Sequence, residues 1–69
     1  MKRKKVKSSN ITSVGYNQKT HELEIEFTTG AIYKYENVPF MVYMDLLDAK
    51  SIGLFFAQFI KYNYKYARM

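Results

Sequence analysis

Three short segments in which apolar and polar residues alternate constrain the fold most strongly. They cover residues 10–16, 21–27 and 31–36 and are rich in Ile, Val, Phe and Tyr. Alternation with a period of two is typical of half-buried β-strands. The two stretches between them, residues 17–20 and 28–30, contain the Asn and Gly that tight turns favour. The sequence therefore predicts a three-stranded antiparallel meander.

The chemistry of the paired residues predicts how the three strands align. Directly opposed residues share a face of the sheet, and a three-residue second turn keeps charged residues off the apolar face. The predicted pairs are Tyr16 with His21, Val14 with Leu23, Thr12 with Ile25, Phe27 with Ala31, Ile25 with Tyr33, Leu23 with Tyr35, and Glu24 with Lys34. The other face carries Glu22, Glu24 and Glu26, so it is predicted to be solvated and to repel phosphate.

The second half of the chain changes to helical spacing. Pro39 is predicted to be the first helical residue. The apolar stripe of this helix is predicted to comprise Phe40, Tyr43, Met44 and Leu47. Ser51 is predicted to cap a second helix, whose apolar face comprises Ile52, Phe55, Phe56, Phe59 and Ile60. From Tyr62 alternation returns, which predicts either a fourth strand or an extended tail. The predicted class is α+β, with two C-terminal helices packed on one face of the meander.

The net charge of +5 comes entirely from the first seven residues. Five of the eleven basic residues lie there, which leaves six basic residues against six acidic ones in the rest of the chain. Because like charges repel, residues 1–7 are predicted to form a flexible basic leader, and residues 8–69 one small domain. The leader is interpreted either as a solubility tail or as an arm that binds phosphate groups.

The chain has few residues suited to catalysis or metal binding. It contains no Cys and a single His, His21, which argues against a disulfide framework, a zinc cluster and a thiol nucleophile. The three alternating glutamates are interpreted as a solvated strand face. We therefore expect no enzymatic activity, no metal and no cofactor. No apolar run is long enough to span a membrane, so we expect no membrane partner and a cytoplasmic location.

Several short motifs after the leader resemble the KTSC domain. They are Ser8-Ser9-Asn10-Ile11, Val14-Gly15-Tyr16, Tyr33-Lys34-Tyr35, Val38-Pro39 and Ser51-Ile52-Gly53-Leu54-Phe55-Phe56. This family is a module of similar size found at the C-terminus of some lysyl-tRNA synthetases and as stand-alone bacterial and phage proteins. The resemblance indicates the fold more than the function, although RNA binding has been suggested for the family. Five motif residues are interpreted as structural: Tyr33, Tyr35, Ser51, Gly53 and Phe55.

The leading prediction for function is a binding module for RNA or another single-stranded nucleic acid. Exposed aromatic rings stack on bases, and nearby cations hold phosphates. The predicted binding residues are Lys2, Arg3, Lys4, Lys5, Lys7, Lys61, Tyr64, Lys65 and Arg68. If the tail packs as a strand, however, Tyr62, Tyr64 and Tyr66 are structural instead.

The alternative prediction is a protein–protein interaction module, such as a small adaptor or inhibitor or a homodimer. The apolar run over residues 40–44 motivates it, since Met41 and Val42 fall off the predicted core stripe and are expected to be exposed.

Overall fold

The computed structural model describes residues 2–69 and shows an antiparallel sheet of five strands in chain order. The elements are β1 (Lys4–Lys5), β2 (Ile11–Asn17), β3 (Glu22–Phe27), β4 (Ile32–Tyr35), α1 (Phe40–Asp48), α2 (Ile52–Phe55), a π-helical turn (Phe56–Ile60) and β5 (Tyr66–Arg68). The predicted α+β class is confirmed, and the predicted number of strands is corrected to five. Met1, the first residue of the predicted leader, lies outside the described residues.

The hairpin between β3 and β4 has the predicted register. Ile25 lies opposite Tyr33, and Glu24 lies opposite Lys34. The turn contains Gly30 with a φ of 94°, a left-handed conformation that favours glycine. The three-residue turn predicted from the pairing chemistry is therefore confirmed.

The register predicted between β2 and β3 is wrong by two residues. Val14 lies opposite Ile25 rather than Leu23. Strand β2 continues through Asn17, whose carbonyl accepts a hydrogen bond from the His21 N–H at 2.8 Å, so the turn begins one residue later than predicted. A shift of two residues leaves Val14 and Tyr16 on their predicted face, because side chains in a strand alternate with a period of two. A bulge between Ile11 and Ser13 interrupts this alternation, so Ile11 also lies in the core, 1% exposed.

Two short strands extend the predicted meander, one at each edge. In β1, Lys4 lies opposite Val14, and in β5, Tyr66 lies opposite Tyr35. Of the two alternatives for the C-terminal segment, a strand is therefore found, although it covers only Tyr66–Arg68. Tyr62 precedes it in a turn.

The residues before β1 contact the outer face of the sheet, which carries the strand glutamates. Arg3 Nη1 donates a hydrogen bond to Glu24 Oε1 at 2.6 Å, and the Glu24 side chain is only 9% exposed. Gly15 allows this close approach, because a Cβ at that position would lie 2.9 Å from Arg3 Cγ. Residues 3–5, predicted to belong to a flexible leader, thus have defined contacts with the domain, since the acidic face attracts Arg3.

The core lies between the sheet and the helices. Its nine buried apolar residues are Ile11, Val14, Leu23, Ile25, Tyr35, Val38, Leu46, Phe56 and Ile60. Within residues 2–69, no helix is long and apolar enough to cross a membrane.

The predicted stripe of α1 is corrected. Of its four members, Tyr43 and Leu47 pack against the core as predicted, whereas Phe40 and Met44 are 40% and 43% exposed. Leu46, which is fully buried, and Val42, which packs against the core, take their place. Pro39 is the residue before the helix rather than its first residue. The stripe was misplaced because residues 40–44 are all apolar, so the pattern alone does not define which side of the helix is buried.

Candidate functional site

An open cleft of about 460 Å³ lies between α2 with its π-helical turn and the β3–β5 part of the sheet. We call it the aromatic cleft. Its aromatic lining consists of Phe27, Tyr33, Tyr35, Phe56, Tyr62 and Tyr66. Asn10, Thr28 and Thr29 also line it and supply polar groups. Its size lies within the range of about 300–1,000 Å³ that is usual for ligand sites.

The floor of the aromatic cleft is made of mutually packed rings, of which Tyr35 and Phe56 are buried and Phe27 is partly buried. Phe56 makes edge-to-face contacts with Phe27 and Tyr35, each with ring centroids 5.5 Å apart. Tyr35 is 3% exposed. Burial, and to a smaller extent the neighbouring phenols of Tyr66 and Tyr33, raise the pKa of Tyr35 to about 12. The floor is therefore uncharged at neutral pH.

The walls of the aromatic cleft, by contrast, are open to solvent. The rings of Tyr33 and Tyr66 are tilted, with centroids 5.7 Å apart, and Tyr66 is 55% exposed. Tyr62 is 83% exposed, and Lys61 Nζ lies 5.3 Å from the centroid of its ring. Exposed rings next to a cation can stack on a planar group while the cation binds an attached anion.

The π-helical turn positions Lys61 and Tyr62. The Lys61 N–H donates to the Phe56 carbonyl at 2.9 Å, which is an i→i+5 bond and inserts one residue relative to an α-helix. The α-helical face predicted from the spacing does not continue through Phe59, which is 53% exposed, whereas Ile60 is fully buried. Turns of this kind occur frequently at functional sites.

Of the four predicted C-terminal binding residues, Lys61 lines the aromatic cleft, and Lys65, Arg68 and Tyr64 lie outside its lining. Arg68 lies opposite Tyr33 and therefore on the face of the sheet that carries the cleft, and Lys65 directly precedes β5. Tyr64 is half-buried and packs against the core, so its ring does not contribute to the cleft lining.

The structure separates the leader from these residues. Strands β1 and β5 are the two edges of the sheet, about 19 Å apart at four strand spacings. Lys4 and Lys5 lie at the β1 edge, and the Arg3 guanidinium is paired with Glu24. Among the predicted binding residues of the leader, Lys7 approaches the helices, since it lines a smaller cleft beside α2.

Comparison with known proteins assigns the family. The KTSC domain model matches residues 7–64. The chain belongs to the KTSC domain family. An uncharacterized protein from Stutzerimonas stutzeri is 44% identical to this KTSC domain over 70 residues, covering 100% of this chain and 99% of that protein. A lysine–tRNA ligase from Nostoc punctiforme is 42% identical over 65 residues, which cover 94% of this chain and 12% of the ligase.

A solved structure has the same fold. The crystal structure of a KTSC domain protein from Yersinia pestis aligns with a TM-score of 0.96 at 34% sequence identity. The alignment covers 99% of this chain and 96% of that one. The predicted family resemblance is thus confirmed, and the matched range includes Lys7, Lys61 and Tyr62 but ends before β5.

Several residues of the cleft in this KTSC domain were not predicted as binding residues. The sequence makes all three alternating tyrosines candidates for stacking, but the predicted binding set contains Tyr64 alone, whereas Tyr62 and Tyr66 line the cleft. A π-helical turn has no sequence signature, so the alternation gave no means of choosing between them. Asn10 and Gly53 also line the aromatic cleft. Their membership of the family motifs is the sequence feature that could have indicated this.

Proposed function

We propose that this KTSC domain is a non-catalytic module that binds RNA or another single-stranded nucleic acid in the aromatic cleft. The observation that carries the proposal is the pair of exposed rings, Tyr62 and Tyr66, at an open cleft that also contains Lys61. Bases of a single strand present free faces for stacking, and aromatic stacking is the usual means by which proteins bind such strands.

The charge distribution around the aromatic cleft supports a polyanionic partner. Its thirteen lining residues include a lysine and no acid. Lys65 and Arg68 extend the positive charge along the β5 edge, while Glu24 and Glu26 belong to the opposite face of the sheet. A strand bound in the cleft therefore avoids the acidic face. Lys2, Lys4 and Lys5 contribute only longer-range attraction from the other side of the domain.

The relatives favour RNA over DNA. A lysine–tRNA ligase acts on an RNA, and a segment covering 12% of the Nostoc punctiforme enzyme is similar to nearly the whole of this chain. The presence of a similar segment in an enzyme that acts on tRNA is consistent with a small accessory module that binds RNA by stacking and by charge. The absence of an acid in the cleft lining is consistent with binding rather than with acid–base chemistry.

Fluorescence anisotropy with a labelled ten-nucleotide U10 strand and the matching A10–U10 duplex tests the proposal. We expect the single strand to bind more tightly than the duplex, and affinity to fall as salt rises. Lys61, Lys65 and Arg68 together account for a slope of about −2 in log K against log[salt], at about 0.7 per phosphate. Equal binding of strand and duplex, or binding that is independent of salt, contradicts the proposal.

A variant with Tyr62→Ala and Tyr66→Ala is the direct test of the cleft. We expect its affinity for U10 to fall at least tenfold, because each stacked base contributes about 1–3 kcal/mol. Phe59→Ala is the matched control, since Phe59 is as exposed as Tyr66 but lies outside the cleft. Equal losses in both variants would show that the cleft is not the binding site.

A protein–protein interaction module is the second candidate function. The exposed apolar residues Phe40, Met41 and Met44 on α1 favour it, with exposed fractions of 40%, 66% and 43%. If the partner is a second copy of this chain, size-exclusion chromatography with light scattering should show a molecular mass that rises with protein concentration. Met41→Asp should then abolish the rise. A mass that stays that of the monomer at high protein concentration would exclude the homodimer.

A further inference from the structure

A second cleft, of about 330 Å³, lies beside the start of α2. We call it the lysine cleft. Two lysines line it, Lys7 from the β1–β2 loop and Lys50 from the α1–α2 loop, together with Ser8, Ser9 and Ser51. None of its ten lining residues is acidic. The Ser8 hydroxyl already donates to Asn10 Oδ1 at 3.1 Å, which leaves the two lysine ammonium groups and the hydroxyls of Ser9 and Ser51 as donors to phosphate oxygens. The lining therefore suits an anion.

The lysine cleft is continuous with the aromatic cleft. Asn10, Gly53 and Ala57 line both of them. Gly53 allows the β1–β2 loop to close against α2 at this boundary, because a Cβ there would lie 2.6 Å from Asn10 Oδ1. On the other side of the loop, the Asn10 carbonyl accepts a hydrogen bond from the Thr28 N–H at 3.0 Å. The boundary between the two clefts is therefore held by contacts from both sides.

We propose that the lysine cleft is a phosphate subsite, which takes the phosphodiester next to a base held in the aromatic cleft. This proposal rests on the proposed function and adds a direction for the bound strand, from the β5 edge past Gly53 to Lys7 and Lys50. Proteins that bind single strands combine stacking rings with a positively charged groove along the backbone. Two adjoining clefts, one aromatic and one lysine-lined, match these two requirements.

The proposal also assigns separate roles to the leader cations. Lys7 is part of the subsite because it lines the lysine cleft, whereas Lys4 lies in the edge strand β1. Together with the three C-terminal cations, Lys7 and Lys50 bring the number of phosphate contacts to five. The expected salt slope for U10 binding by the unaltered chain is then about −3.5.

A double variant with Lys7→Met and Lys50→Met tests the subsite in the full chain. We expect its affinity for U10 to fall and its salt slope to weaken from about −3.5 to about −2. Lys19→Met is the matched control, because Lys19 is an exposed lysine of the β2–β3 turn that lines neither cleft. An affinity and slope equal to those of the control overturn the subsite. If Tyr62→Ala still weakens binding in that case, the proposed function survives; if it does not, both proposals fail.

Amide chemical shifts measured by NMR locate the phosphate independently of any substitution. AMP and inorganic phosphate should both shift the amides of residues 7–10 and 50–54, and adenosine should not. Adenosine and AMP should both shift Tyr62 and Tyr66. If the amides beside the lysine cleft respond to a polyglutamate peptide but not to inorganic phosphate, the cleft binds acidic peptides and the proposal is wrong.

Discussion

Two aromatic clusters at different places on the helix-side face of the sheet use the same residue types in different ways. In the first, Tyr16 stacks on Tyr43 with ring centroids 5.1 Å apart, and its ring also contacts Phe40 at 5.6 Å. The Tyr16 hydroxyl donates to the Val38 carbonyl. We call this group the Tyr16 cluster. The central Tyr16 ring packs on both neighbours and its hydroxyl is hydrogen-bonded, although Phe40 at the edge of the cluster is 40% exposed.

The aromatic cleft is the second cluster, and its outer rings are only partly covered by the protein. Tyr62 and Tyr66 are 83% and 55% exposed, and Lys61 lies beside the ring of Tyr62. The difference indicates that tyrosine content alone does not identify a binding surface. What distinguishes the two clusters is whether the ring faces are covered by the fold, and the following predictions test this distinction.

The largest expected effect is on stability, in the Tyr16 cluster. Tyr16→Ala removes a ring packed between neighbours, so we expect the free energy of unfolding to fall by about 3 kcal/mol. Tyr16→Phe, which keeps the ring and loses the hydrogen bond to Val38, should cost about 1 kcal/mol. Urea denaturation measures both. If Tyr62→Ala costs as much as Tyr16→Ala, the two clusters do not differ in the way described.

The same distinction applies to charged residues. Arg3 is paired with a nearly buried carboxylate, whereas Lys4 is exposed in the edge strand. Arg3→Ala should lower the free energy of unfolding by about 1–2 kcal/mol, because Glu24 loses its partner. Lys4→Ala should change it by less than about 0.5 kcal/mol. Equal unfolding midpoints for the two variants would show that the Arg3–Glu24 pair does not stabilise the domain.

The next effect is on binding, in the aromatic cleft. Tyr62→Ala should lower the affinity for a single-stranded RNA about tenfold, equivalent to about 1.4 kcal/mol. Its effect on unfolding should stay within about 0.5 kcal/mol, because the ring is mostly exposed. Anisotropy and urea denaturation on the same sample separate the two readouts. A loss of stability without a loss of affinity would assign Tyr62 to the fold.

The last prediction concerns the floor of the aromatic cleft, where a change in stability is expected only in alkaline solution. The pKa of Tyr35 is raised from 10.0 to about 12 by burial and by the neighbouring phenols, so the protonated phenol is favoured in the folded state. Its contribution to stability is complete below pH 10 and is lost as the pH rises through 12. The urea midpoint should therefore fall between pH 10 and pH 12, and fall less in Tyr35→Phe. An equal fall in both chains would contradict this assignment.

The sequence predicted the parts of the fold that depend on local pairing chemistry. Gly30 and the pairing of Glu24 with Lys34 were sufficient for the β3–β4 hairpin. The edge strand β5 was predicted as one of two alternatives. The edge strand β1 was not predicted, because it depends on Arg3 reaching Glu24 over a glycine, which is a contact between distant residues. In α1, five consecutive apolar residues gave no unique buried side.

The candidate site was predicted only in part for a similar reason. The charge count identified Lys61, Lys65 and Arg68, since those residues lie in a segment without acids. The choice among the alternating tyrosines required the π-helical turn, which moves Tyr62 into the cleft and leaves Tyr64 against the core. Lys7 and Lys50 line the same cleft because the β1–β2 loop packs against the start of α2 at Gly53. The two residues are far apart in sequence, so local spacing does not predict that they lie close together.

Photo-cross-linking tests the central claim, that the aromatic cleft binds a single strand, most directly. A ten-nucleotide RNA containing 5-bromouridine is irradiated with the full chain, and the linked residues are identified by mass spectrometry. Because the chain has seven tyrosines in distinct environments, the tyrosine that is linked identifies the surface that the RNA contacts. We predict links to Tyr62, Tyr66 or Tyr33. Links confined to the Tyr16 cluster or to the leader, with none in the aromatic cleft, would contradict the account.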